Sequence, residues 1–138
     1  MAHTRQLPAL TLEAAKAIVT AAEAYATGKG WPMAIAVVDA AGGLIIFHCL
    51  DDTQPASQDV SVAKARTAAR FKRPTKALED MIAGGRTAFL SAAGACCLEG
   101  GLPIEASGRI IGAIGVSGMA SSQDAEVARA GLAAFAPQ

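Results

Sequence analysis

The chain has 138 residues, 52% apolar and 17% charged, which is one domain of ordinary size, large enough to bury a core and too apolar for disorder. Twelve basic side chains balance twelve acidic ones, which argues against a nucleic-acid partner, since such partners usually draw a strong basic excess. No run reaches the ~20 apolar residues that span a bilayer, and residues 1–10 hold no apolar signal core, so a cytoplasmic protein with no membrane partner is expected.

Thr11 is placed to cap a helix carrying Glu13 in its first turn. Leu12, Ala15, Val19, Ala22 and Ala26 recur at spacings of three and four, and the pattern stops near Gly28 and Gly30. Residues 33–39 and 44–50 read as two strands joined at Ala41-Gly42-Gly43, the first apolar on both faces and therefore central. A helix is predicted over 58–71, ended by Pro74, and a shorter one from Thr75 to near Gly84-Gly85. Residues 84–95 carry no usable pattern, and 95–98 are compatible with a further strand. The last helix is expected to open at Ser121, with Ser121 and Asp124 as an S-x-x-D cap, and to bury Val127, Gly131, Leu132 and Phe135.

The stretch GGLPIEASGRIIGAIGVSG, residues 100–118, holds six of the fourteen glycines. Gly112, Gly115 and Gly118 are spaced G-x-x-G-x-x-G, which is neither the G-x-G-x-x-G of a dinucleotide turn nor a P-loop ending in Gly-Lys-Ser/Thr. Ser107-Gly108 is a turn dipeptide between 102–106 and 109–117, so the segment reads as a hairpin whose glycines permit close packing.

Four segments, IAVVDAAGGLIIFH, SQDVSVAKARTAARFKRPT, GGLPIEASGRIIGAIGVSG and QDAEVARAGLAA, resemble in order and spacing the GlcG/HbpS-type (haem-degrading-domain) family. That domain is also similar to the C-terminal part of PduO-type corrinoid adenosyltransferases. The resemblance runs from Leu10 to Ala134 and makes residues 1–138 a single domain. It implies a profilin-like α/β/α sandwich, with an antiparallel sheet of about five strands between helical layers. It also implies a homo-oligomer larger than a dimer, an octamer being one form. Where the family commonly shows Phe-His-Arg-Met-Asp-Gly, this chain has Phe47-His48-Cys49-Leu50-Asp51-Asp52. Cys49 removes an anion contact and Asp52 adds a negative charge, which weighs against a dianionic ligand such as haem.

The residues themselves supply candidates. At 100° per residue Lys64 falls inside the arc of Val60, Ala63, Thr67, Ala68 and Phe71. A lysine in an apolar stripe either packs its stem and snorkels, or serves as a base or an anion anchor. The family pattern has lysine there. Arg73, just before Pro74-Thr75, is the candidate carboxylate anchor, while most of the run Lys64, Arg66, Arg70, Lys72, Arg73, Lys76 reads as a solvated or intersubunit face. Glu105 follows the bend at Gly100, Gly101 and Pro103, which in the family lines a pocket. His48 is the candidate axial ligand for haem, which needs only one such group, with Asp52, Gly100, Gly101 and Pro103 as the other candidate ligand-binding residues, and no ligand spacing for zinc is present. Cys49, Cys96 and Cys97 form no C-x-x-C and read as free thiols. Two functions stand at this point. One is a small-molecule binding protein whose ligand is haem or another tetrapyrrole. The other is a cofactor-free tautomerase or hydrolase of a small carboxylated catabolite, with Lys64, Arg73 and Glu105 as its site.

Overall fold

The computed structural model describes residues 2–135. The chain runs α1 (Leu12–Lys29), β1 (Ala34–Asp39), β2 (Leu44–Cys49), α2 (Ala56–Phe71), α3 (Thr75–Ala83), a 3-10 turn (Thr87–Ser91), β3 (Gly101–Ala106), β4 (Arg109–Ser117) and α4 (Ser121–Leu132). The strands form one antiparallel sheet in the order β2-β1-β4-β3. Helices α1 and α4 cover one face and α2 the other, which is the expected α/β/α sandwich.

The sheet has four strands rather than about five. Residues 95–98 make no ladder; the Cys96 N–H goes instead to Thr67 Oγ1 on α2, at 2.8 Å, so this segment lies over a helix. The ends of α1 follow local chemistry: Thr11 Oγ1 accepts from the Ala14 N–H at 3.1 Å, and Gly30 closes the helix at φ 73°. The start of α4 does not form the expected Ser121–Asp124 cap. Its closing contact is the Ala120 N–H donating to Gln123 Oε1 at 3.2 Å, and Asp124 is engaged elsewhere.

Two unequal cores flank the sheet. On the α1/α4 face Ile18, Val19, Ile35, Val37, Ile114, Val116 and Val127 are fully buried, each contributing about 1.5–3 kcal/mol. On the α2 face the core is mostly alanine: Ala36, Ala65, Ala68, Ala69 and Ala113, with Val38. Small residues let α2 lie close to the sheet. Its buried stripe is Ser57, Ser61, Lys64, Ala65, Thr67, Ala68 and Ala69, rotated from the predicted one so that Val60, Ala63 and Phe71 are only half-buried. Ile111 also departs from strict alternation. A bulge opposite Ile104 and Glu105 makes it the extra residue of β4 and turns it into the α1/α4 core.

The two edges of the sheet differ. On β3 Pro103 pairs with Ala113 and offers no N–H, whereas β2 (Leu-Ile-Ile-Phe-His-Cys) has neither proline nor charge along its free side.

Gly115 sets how closely α2 approaches, because a Cβ there would collide with Ser61 O and Ala65 N of the helix backbone. Gly115→Ala should therefore lower stability by about 1–3 kcal/mol through overpacking. Gly28→Ala, on α1 with nothing within 4 Å of the new methyl, should raise it by about 0.4–1 kcal/mol. Urea denaturation of the two variants reads both signs; equal effects would mean that the glycines are not packing devices.

Candidate functional site

Lys64 is 1% exposed and leaves α2 pointing towards the start of β3. Its Nζ donates to the Val116 carbonyl at 3.0 Å and to Asp124 Oδ2 at 2.9 Å. Asp124, 2% exposed on α4, accepts the Met119 N–H on its other oxygen at 3.0 Å. One buried ion pair thus joins helices that lie on opposite faces of the sheet, passing where β3 has only just begun to pair.

Glycines open this passage. A Cβ on Gly100 would lie 2.7 Å from Lys64 Nζ and 2.7 Å from Val116 O, and one on Gly101 would press on Thr75 Cγ2 and the Lys64 backbone. Thr75 Oγ1 accepts the Gly101 N–H at 2.9 Å, and Ser57 and Ser117 share a buried hydrogen bond of 3.1 Å nearby. Every buried side-chain polar atom among the described residues is satisfied.

The geometry gives each predicted residue a place. Lys64 is buried with its Nζ already bonded to Val116 O and Asp124 Oδ2, so it presents no open anion site. Arg73 is exposed, with its Nε donating to Phe71 O at 3.0 Å, and Lys64 and Arg73 do not face one surface. Glu105 is exposed on β3, while Gly100 and Gly101 are buried against α2, with Pro103 half-buried beside them. Asp52 follows β2 at φ 69° and lines a recess with Trp31, Leu50 and Asp51. Burial pushes the Cys96 thiol up in pKa, with Lys64 pulling it partly back, and burial also raises Cys97, so neither is a ready thiolate. Among the described residues no three of His, Cys, Asp and Glu gather as a metal site.

His48 stands apart from this cluster. It lies on the α1 face of β2, opposite Ile35, with Nδ1 at 3.3 Å from Glu23 Oε1 and 37% of its side chain exposed. Sequence reasoning missed both carboxylates that matter. Glu23 and Asp124 are 25 and 60 positions from their partners; Asp124 had a sufficient local explanation as a cap, and nothing in the sequence singled out Glu23.

Burial raises the Asp124 pKa, and the Lys64 charge pulls it back down. Removing Lys64 leaves the burial uncompensated. Lys64→Met should cost about 3–5 kcal/mol near neutrality, as expected for orphaning a buried charge. An acid whose folded pKa lies above its unfolded value gains stability as pH falls through the folded pKa. The deficit of Lys64→Met should therefore shrink on acidification from neutrality. Urea titrations along that pH series test this, and a deficit independent of pH would contradict it.

A family model described as haem degrading protein HbpS-like matches residues 10–133. Protein GlcG of Escherichia coli (strain K12) is 44% identical over 108 residues, 78% of this chain and 81% of that protein. The crystal structure of a double mutant of HbpS from Streptomyces reticuli superposes with a TM-score of 0.89 at 34% identity, over 96% of this chain and 91% of the other. The crystal structure of a PduOC:haem complex gives a TM-score of 0.84 at 27% identity, over 93% and 96% of the two chains. The family model spans residues 10–133 and the HbpS structure superposes over nearly the full length, so the chain belongs to the HbpS-like family.

Proposed function

We propose that this chain is a small-molecule binding protein whose ligand is haem or another tetrapyrrole. The observation that carries the reading is its likeness, over 93% of its length, to a chain crystallised with haem. The donor chemistry is compatible. Glu23 Oε1 stands 3.3 Å from His48 Nδ1, which leaves Nε2 as the ring nitrogen for an axial bond. Ile46 and Leu50, packed against the α1-side core, supply apolar surface on the same side of the sheet. Haem bound at His48 would supply iron for axial-ligand and redox chemistry. Glu23, beside Nδ1, would help to orient the imidazole.

The Lys64 arrangement favours this reading over turnover by Lys64, Arg73 and Glu105. The amine already serves Asp124 and Val116, and the other two side chains are exposed away from it. A half-exposed His48 also suits a ligand closed over by a second copy. We therefore extend the proposal to a homo-oligomer larger than a dimer. Leu90 and Leu98, 69% and 46% exposed on the segment between α3 and β3, offer apolar surface for such contacts.

Haemin added to the purified protein should give a Soret band that saturates. His48→Ala should weaken binding and move the band, Glu23→Gln should weaken it by about 10–100-fold, and His3→Ala should do neither. An unchanged spectrum for His48→Ala removes it as the axial ligand. Haemin association no stronger than with an unrelated apolar protein defeats the binding reading. Light scattering should report a mass above twice the 13.9 kDa of one chain, and a monomer would overturn the assembly.

A further inference from the structure

At the far end of the sheet from His48, and on the α2 side, the N-terminal segment, the end of α2 and the β3–β4 turn enclose a recess of about 290 Å³. Arg5, Lys72 and Arg109 line it together with Leu7, Gly108 and Ile110, and no carboxylate is among its lining residues. Arg66 and Arg70 stand beside it. Their Nε atoms donate to Gly42 O at 3.0 Å and Ala41 O at 2.8 Å, on the β1–β2 turn that also gives the recess Ala40. Asp39, the acid of this turn, spends its Oδ1 on the Ala41 and Gly43 N–H groups at 2.9 and 2.8 Å. The salt bridges among the described residues are His48–Glu23, Lys64–Asp124 and Lys76–Asp80, and none draws on these five cations. In a chain with no net charge, five positive groups converge on one end.

Lys72 adds a second, independent sign. It closes α2 at φ 56°, ψ 41°, the left-handed position where glycine is the usual residue and a lysine is strained. Residues held in this region cluster at ligand sites and switch segments. Glycine at 72 would relieve the strain but would remove the ammonium that lines the recess.

We propose that this recess binds a small dianion, a dicarboxylate or a phosphate monoester, through Lys72, Arg109 and Arg5. Leu7 and Ile110 form its apolar wall, and two arginines matched to carboxylate or phosphate oxygens provide bidentate recognition. The site is separate from His48.

Calorimetric titration of the full chain with succinate and, in a second arm, with inorganic phosphate tests this at low salt. At least one probe should bind with a Kd below about 10 mM, and affinity should fall as salt rises. The arm that binds more tightly tells carboxylate from phosphate. Arg109→Gln should weaken binding about tenfold or more, as loss of a charge-assisted contact does. Lys72→Gly should do the same while raising the melting temperature, because the strain goes with the ammonium. Arg86→Gln, a cation outside the recess, should bind as the parent does. The proposal is overturned if neither probe binds, or if Lys72→Gly gains stability with affinity unchanged. Loss of haemin binding in Arg109→Gln would likewise overturn it, by showing one shared site.

Discussion

A single buried ion pair connects the layers of this sandwich. The sheet separates α2 from α4, and side chains on opposite faces of a sheet ordinarily do not meet. Lys64 reaches Asp124 because its stem passes the first residues of β3, where Gly100 and Gly101 have no side chains to block it. Its bond to the Val116 carbonyl fastens the same point to β4. An ion pair of this kind is a poor source of net stability, since desolvation offsets most of its attraction, but it penalises any arrangement that leaves either charge alone. It therefore selects one relative placement of α2, β4 and α4. The Met119 N–H on Asp124 carries that constraint into the turn before α4.

The α2 face is constructed for proximity and not for apolar bulk. Alanines on both sides and Gly115 beneath the helix bring backbone against backbone. Little space is left between α2 and the sheet. Four recesses among the described residues lie at the periphery, along the N-terminal segment and the strand ends.

Much of the layering was legible in the sequence, and the reasons are local. Capping by Thr11, the left-handed Gly30 and the turn at Ser107-Gly108 depend on neighbours a few positions away. The both-face apolar run of β1 announced a central strand, and it is central. Lys64 stood out as a charge within a buried stripe. Its partner did not, because Asp124 lies 60 residues on and looked complete as a helix cap. Residues 95–98 have the composition of a strand, yet the edge nearest to them in sequence is β3, where Pro103 withholds a donor, and Thr67 offered their backbone a different bond. The cationic end was likewise hidden. Lys72 and Arg109 are distant in sequence, and the α2 basic run was indistinguishable from a solvated face until the N-terminal segment and the β3–β4 turn were set beside it.

The unequal edges of the sheet bear on how it could grow. A strand can recruit another only if its free side offers donors and acceptors in register. Joining two copies through β2 by a twofold axis would make an eight-stranded sheet, counted as twice the four strands of one chain. Both outer edges of that sheet would be β3, each interrupted by Pro103. Growth by strand addition would thus stop after one step, with no open fibre as its end point. Higher assembly would have to come from helices and loops, so the proline acts as a terminator that makes the stoichiometry of strand pairing finite.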